Sequence, residues 1–166
     1  MPALNTGVLA PDFTLTTTDG KTVQLQDFLQ RGPVILAFFK VSCPVCQFAF
    51  PLYERLAQAH KNRKATFLGI SQNSASEAKA FAREYGVKFP IALDNESNRY
   101  EVSNAYGLTN VPTLFYISPV GEIEISSVGW SKSDVDTVNS KLAALEQQQA
   151  NPLWRQGEDV PAFRPG

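Results

Sequence analysis

Cys43 and Cys46 are the only thiols in a chain of 166 residues, and they stand three positions apart with Pro44 and Val45 between them. Thiols at that spacing can close a disulfide across one helical turn. A Cys-x-x-Cys pair where a strand gives way to a helix inside a βαβ pattern is the sequence form of a redox dithiol. The flanking residues fit that placement. Residues 34–39 are a continuous apolar run suited to a strand buried on both faces. Beyond Cys43, Phe48, Leu52, Leu56 and Ala59 recur at helical spacing, which predicts a helix over residues 43–60. Pro44 suits its first turn, where an N–H has no helical partner anyway, whereas Pro51 removes one interior hydrogen bond. A thiol at a helix start meets unpaired N–H groups and the positive end of the dipole, a setting that lowers a cysteine pKa from about 8.5 to about 7 or below. Cys43 is therefore expected to attack, and Cys46, one turn deeper, to resolve.

Charge and composition narrow the partners. The net charge is −1 and the densest basic stretch is residues 61–64, so a nucleic-acid partner has no electrostatic support. No apolar run reaches the length of a membrane span, and the first residues lack the cationic start and apolar stretch of a leader. The expectation is a cytoplasmic protein, or a mature form without its leader, that does not engage a membrane. Two cysteines cannot build a disulfide scaffold, and with His60 as the one histidine a cysteine/histidine zinc cage is not available. No metal and no cofactor are expected.

The elements that must position the thiols can be read in order. Residues 7–25 form a hairpin turning at Asp19-Gly20, and residues 26–29 a helical turn. Strands are expected at 34–39, 66–71 and 89–93. Helices are expected at 76–85, capped by Ser74 or Ser76 and closed by Gly86, and at 98–106, ended by Gly107. Residues 113–117 and 122–128 form a second hairpin, and residues 133–149 a last helix with Val135, Val138, Leu142 and Leu145 facing inward. This predicts an α/β domain over residues 1–150, with a mixed sheet and helices on both faces. Residues 151–166 read as an extended tail, either docked through Trp154 and Phe163 or disordered. His60 reads as a surface residue at a helix end, and Trp130 as a packing residue. Asp12, Asp94 and Glu96 lack a partnered histidine or metal set and receive no acid–base role. Val111-Pro112-Thr113 opens a strand, where proline is structurally permitted. A cis bond there would turn the Val111 backbone groups outward, toward an extended partner chain.

Cys43-Pro44-Val45-Cys46 together with Val111-Pro112-Thr113 resembles the thioredoxin-like superfamily, and most of all its TlpA/ResA-type redoxin branch, which borders the AhpC/TSA peroxiredoxins. Residues 7–15 resemble that branch's N-terminal opening, residues 81–94 its central αβ insertion, and residues 106–121 its cis-proline hairpin. The resemblance implies a thioredoxin fold with an N-terminal β-hairpin and a central αβ insertion, and a cis bond at Pro112. It implies thiol–disulfide exchange by the Cys43–Cys46 pair with a protein or small-thiol partner, either a protein disulfide or dithiol substrate or an electron donor. Val111, Pro112, Ser42 and Pro44 would line the substrate site. Two departures stand out. Ser42 replaces the tryptophan usual before the first cysteine, and Ala37 and Ala49 stand where relatives keep a buried acid, so no internal base serves Cys46. Lys40, the nearby charge, reads as a solvated residue at a strand end.

Two rival activities fit the same residues less well. A peroxidatic cysteine resembles Pro-x-x-x-Thr/Ser-x-x-Cys with a later arginine. The required positions here hold Leu36 and Lys40 for Cys43, or Phe39 and Cys43 for Cys46, and no arginine lies between 101 and 130. A Cu(I)-binding protein of this fold would need a histidine beside two thiolates, and His60 is the one candidate.

Overall fold

The computed structural model describes residues 2–61 and 64–166. The chain opens with β1 (Thr14–Thr17) and β2 (Thr22–Gln24), then α1 (Leu25–Leu29), β3 (Val34–Phe39), α2 (Pro44–Ala59) and β4 (Thr66–Ser71). It continues through α3 (Ala75–Tyr85), β5 (Ile91–Leu93), α4 (Glu101–Ala105), β6 (Thr113–Ile117) and β7 (Ile123–Val128). It closes with β8 (Trp130–Ser131), α5 (Lys132–Leu145) and β9 (Phe163–Arg164).

Among the described residues the main sheet has seven strands in the order β2-β1-β5-β4-β3-β6-β7. The apolar run of β3 explains its central place. It pairs parallel with β4 and antiparallel with β6, and all six of its residues are buried. Alternate side chains feed opposite cores, as a strand's period of two requires. Ile35, Ala37 and Phe39 join a layer built from α2, α3 and α5, whereas Val34, Leu36 and Phe38 join one built from β1, α1 and α4. Fully burying each such large side chain stabilises the fold by about 1.5–3 kcal/mol. Helices on both faces of a mixed sheet are thus what the sequence predicts and what the structure contains. The N-terminal hairpin turns at Gly20, which adopts φ +85°, and β5 bridges it to the central strands.

Several local expectations need correction. The helix expected over residues 98–106 is split. A short 3-10 turn (Glu96–Asn98) is followed by Arg99 and Tyr100 in left-handed conformations, and only then by α4. The cause is Asp94, which is fully buried. Its carboxylate accepts the N–H groups of Val102 and Ser103 and the Ser103 hydroxyl, at 3.2, 2.6 and 2.6 Å, and so fixes where the helix starts. The last helix stops at Leu145 instead of residue 149, and Leu145 is 57% exposed, so the inward stripe ends at Leu142. On α2, Ala59 is exposed, while Phe50, Tyr53 and Ala57 join the buried face. His60 is not on the surface: it is 6% exposed, and its Nε2–H donates to Asn139 Oδ1 at 2.7 Å.

The tail docks. Leu153 is buried, Trp154 packs edge-on against Trp130, and the Arg55 guanidinium grips Glu158 with two bonds of 2.7 and 2.9 Å. Phe163, by contrast, is 58% exposed and anchors nothing by burial.

Candidate active site

The thiol pair sits where the central strand hands over to α2. Cys43 is the N-cap residue, in extended conformation, one position earlier than a helical first turn. Pro44 follows as the first helical residue and contributes no N–H, so the cap acceptor is offered to the third residue, and Cys46 N–H donates to Cys43 Sγ at 3.2 Å. The turn before it is pinned from two directions. Val41 N–H donates to Asn73 Oδ1 at 3.0 Å, and the Gln47 side-chain amide donates to the Val41 carbonyl at 2.9 Å. Cys43 N–H also donates to the Lys40 carbonyl at 3.2 Å.

The two sulfurs occupy different media. Cys43 is half-buried, whereas Cys46 is fully buried in the layer that contains Ala49, Phe50 and Tyr53. Burial pushes the Cys46 thiol far above the ordinary thiol range, and the neighbouring Cys43 sulfur adds to that shift. Both cysteines are present as free thiols. Ala37 and Ala49 are both buried there. Glu54, the buried acid of α2, is committed elsewhere: it accepts Lys88 N–H at 2.8 Å, Phe89 N–H at 3.2 Å and the Gln58 amide at 2.6 Å.

The second wall comes from the loop before β6. The Val111–Pro112 bond is cis, Pro112 is buried, and Val111 is half-buried with its carbonyl accepting the Cys43 thiol at 3.4 Å. Ser42 and Pro44, the chain neighbours of Cys43, are exposed. A cleft of about 470 Å³ opens between these parts, lined among others by Lys40, Cys43, Pro44, Asn110, Val111 and Gly166. Of the six residues singled out from the sequence, Cys43, Pro44 and Val111 line this cleft, Ser42 is exposed next to Cys43 in the chain, and Cys46 and Pro112 are buried. Three features were not legible in the sequence. Phe48 is only partly buried, with its ring edge-on to Trp130 at 5.4 Å. Gly129 N–H donates to the Pro112 carbonyl at 2.8 Å, which ties the start of β8 to the cis-proline loop. Gly166 reaches the cleft from the tail. The aromatic Phe48, close behind a buried cysteine, offered a weak signal; the other two depend on contacts distant in sequence.

His60 lies at the opposite end of α2, about 24 Å from the thiols at 1.5 Å per helical residue. It cannot complete a metal site with them.

The comparisons with known proteins agree with this geometry. The model of the AhpC/TSA family matches residues 6–126. Thiol-disulfide oxidoreductase ResA of Bacillus subtilis (strain 168) is 33% identical over 125 residues, which cover 73% of this chain and 66% of that protein, just under two thirds of its length. Among solved structures, the thioredoxin domain of a thiol-disulfide oxidoreductase from Bacteroides vulgatus superposes with a TM-score of 0.76 at 23% identity, over 84% of this chain and 99% of that one. Peroxidoxin BcpB from Mycobacterium tuberculosis superposes with a TM-score of 0.71 at 23% identity, over 86% and 98%. These likenesses establish the thioredoxin fold that the paired motifs imply. With its family model matched over most of its length, the chain belongs to the AhpC/TSA family.

Proposed function

We propose that the protein is a thiol–disulfide oxidoreductase that exchanges its Cys43–Cys46 dithiol with the disulfide of a protein partner. The observation that carries this reading is the asymmetry of the pair: Cys43 caps a helix and opens on a cleft, and Cys46 is buried one turn beneath it. ResA, the relative from Bacillus subtilis, is named for the same chemistry.

The steps balance within the pair and the partner. Cys43, as thiolate, attacks one sulfur of the partner disulfide, forming a mixed disulfide and releasing the partner's other sulfur as thiolate. The Cys46 thiol gives up its proton and attacks Cys43 Sγ. That forms the Cys43–Cys46 bond and expels the partner's second sulfur. Two electrons pass to the partner, and its two thiolates take up the two protons. Burial keeps the Cys46 sulfur protonated until then. The released partner thiolate, adjacent in the mixed disulfide, is the base this scheme supplies in place of a buried carboxylate. Val111, Pro112, Ser42 and Pro44 would receive the chain on either side of the partner's disulfide, with the Val111 backbone as its hydrogen-bonding edge.

The test is stopped-flow mixing of the reduced protein with a protein disulfide such as insulin and, separately, with hydrogen peroxide. Fast reduction of the protein disulfide with slow peroxide oxidation supports exchange. Because the fold is shared with a peroxidoxin, the reverse order of rates would replace this reading with a peroxidase.

A further inference from the structure

The tail has two halves held in different ways. Residues 151–161 are anchored: Asn139 donates its amide to the Asn151 carbonyl at 2.8 Å, Trp154 Nε1–H donates to Asp136 Oδ1 at 2.8 Å, and Trp130 Nε1–H donates to the Pro161 carbonyl at 2.8 Å. Residues 162–166 are exposed throughout, yet they follow a regular path. β9 pairs antiparallel with β8, Trp130 opposite Arg164 and Ser131 opposite Phe163, and Lys132 N–H donates to the Ala162 carbonyl at 3.0 Å. At Gly166 the path reaches the thiol cleft, where the Asn110 amide donates to the Gly166 carbonyl at 3.3 Å.

Two glycines make room for this. Gly129 has φ +78°, and a Cβ there would meet the Arg164 carbonyl at 2.6 Å and the Gly166 nitrogen at 3.2 Å. A Cβ on Gly166 would run into the Val111 carbonyl, the same oxygen that accepts the Cys43 thiol. The Arg164 guanidinium lies 4.3 Å from the centre of the Phe48 ring. A chain joined to a short edge through its backbone, with exposed side chains, is how an extended peptide adds to a sheet.

We infer that residues 162–166 occupy the groove in which the partner's extended chain binds. Protein disulfides then reach Cys43 only when this segment lifts from β8, while small disulfides enter through the open cleft. The partner fitting the same surface is an extended segment with a small residue against Val111 and a cationic side chain over Phe48. This inference rests on the exchange reading for its substrate, and its test separates the two.

Truncation after Pro161 removes the segment and keeps the anchors. It is expected to speed reduction of insulin about tenfold, the reciprocal of an open fraction of about one tenth, while reduction of a small aromatic disulfide changes less than about twofold. Arg164→Ala in the full chain, which leaves the fold intact, is expected to give a smaller rise of about two- to fivefold from loss of one exposed cation–π contact. A synthetic peptide of residues 160–166 should bind the truncated protein and not the full chain, a readout that needs no redox activity. An unchanged or slower insulin rate in both variants, or a peptide that binds both forms alike, overturns the inference. If no form reduces either disulfide, the exchange reading fails, and the peptide alone decides whether the segment is displaceable.

Discussion

The two ends of α2 put polar atoms to opposite uses. At the N-terminal end, Cys43 Sγ accepts one N–H and its thiol is shared with the Val111 carbonyl, beside an open cleft. At the C-terminal end, Glu54 is filled by two backbone N–H groups and an amide, and His60 is bonded to Asn139, whose own amide holds Asn151. The far end fastens the loop before β5 and the root of the tail: the Glu54 carboxylate is held by two backbone N–H groups and the Gln58 amide, although His60 Nδ1 has no hydrogen-bond partner among the described residues. The near end leaves a polarisable atom with weak partners that an incoming sulfur can replace. Reactivity on this helix follows from how loosely the capping atom is held, more than from burial itself.

Substitutions at the near end should remove chemistry and spare stability. Cys43→Ser is expected to lower insulin reduction by more than about a thousandfold, because the thiolate is the nucleophile. Cys46→Ala should leave the first attack intact and stall as a mixed disulfide, visible as a covalent adduct by mass spectrometry. The far end should behave in reverse. Glu54→Ala strands the N–H groups of Lys88 and Phe89 and is expected to cost about 2–3 kcal/mol in urea unfolding, with exchange rates unchanged. A rate loss matching the stability loss would break the contrast.

Two smaller effects sharpen it. Burial raises the Cys46 thiol, so its uncharged form persists as pH climbs through the ordinary thiol range. Iodoacetamide should therefore label Cys43 well before Cys46 up to about pH 9 in the folded protein, and both alike in urea. At the tail root, the hydrogen bonds from the Arg55 guanidinium and then the Arg155 N–H hold the Glu158 carboxyl down to about 2. Its folded pKa lies below the unfolded one, so its contribution is complete above the usual carboxylate range and is lost as pH falls from about 4.5 toward 2. Trp154 fluorescence should report loosening in that window, and Glu158→Gln should flatten the response.

What could be read in advance followed from local signals. The alternating Phe13 and Leu15, the turn at Asp19-Gly20, the apolar run before Cys43 and the Ser74 cap with Gly86 at the other end of α3 each carry their own geometry. The break at Arg99 and Tyr100 was hidden because its cause, the Asp94 carboxylate, reaches eight and nine residues ahead to groups that only the fold presents to it. His60 was misplaced for the same reason, since its partner Asn139 is on another helix. The tail was half legible: Trp154 docks, but the surface that takes residues 162–166 exists only once Gly129 and Val111 have been brought together.

The account depends on Cys43 and Cys46 forming one redox couple. Equilibrating the protein across glutathione buffers, quenching with acid and alkylating for mass spectrometry measures this directly. The prediction is a single two-electron transition in which both free thiols disappear together and no glutathione is added. Independent loss of the two thiols, or a Cys43–glutathione adduct with Cys46 still free at equilibrium, would contradict it.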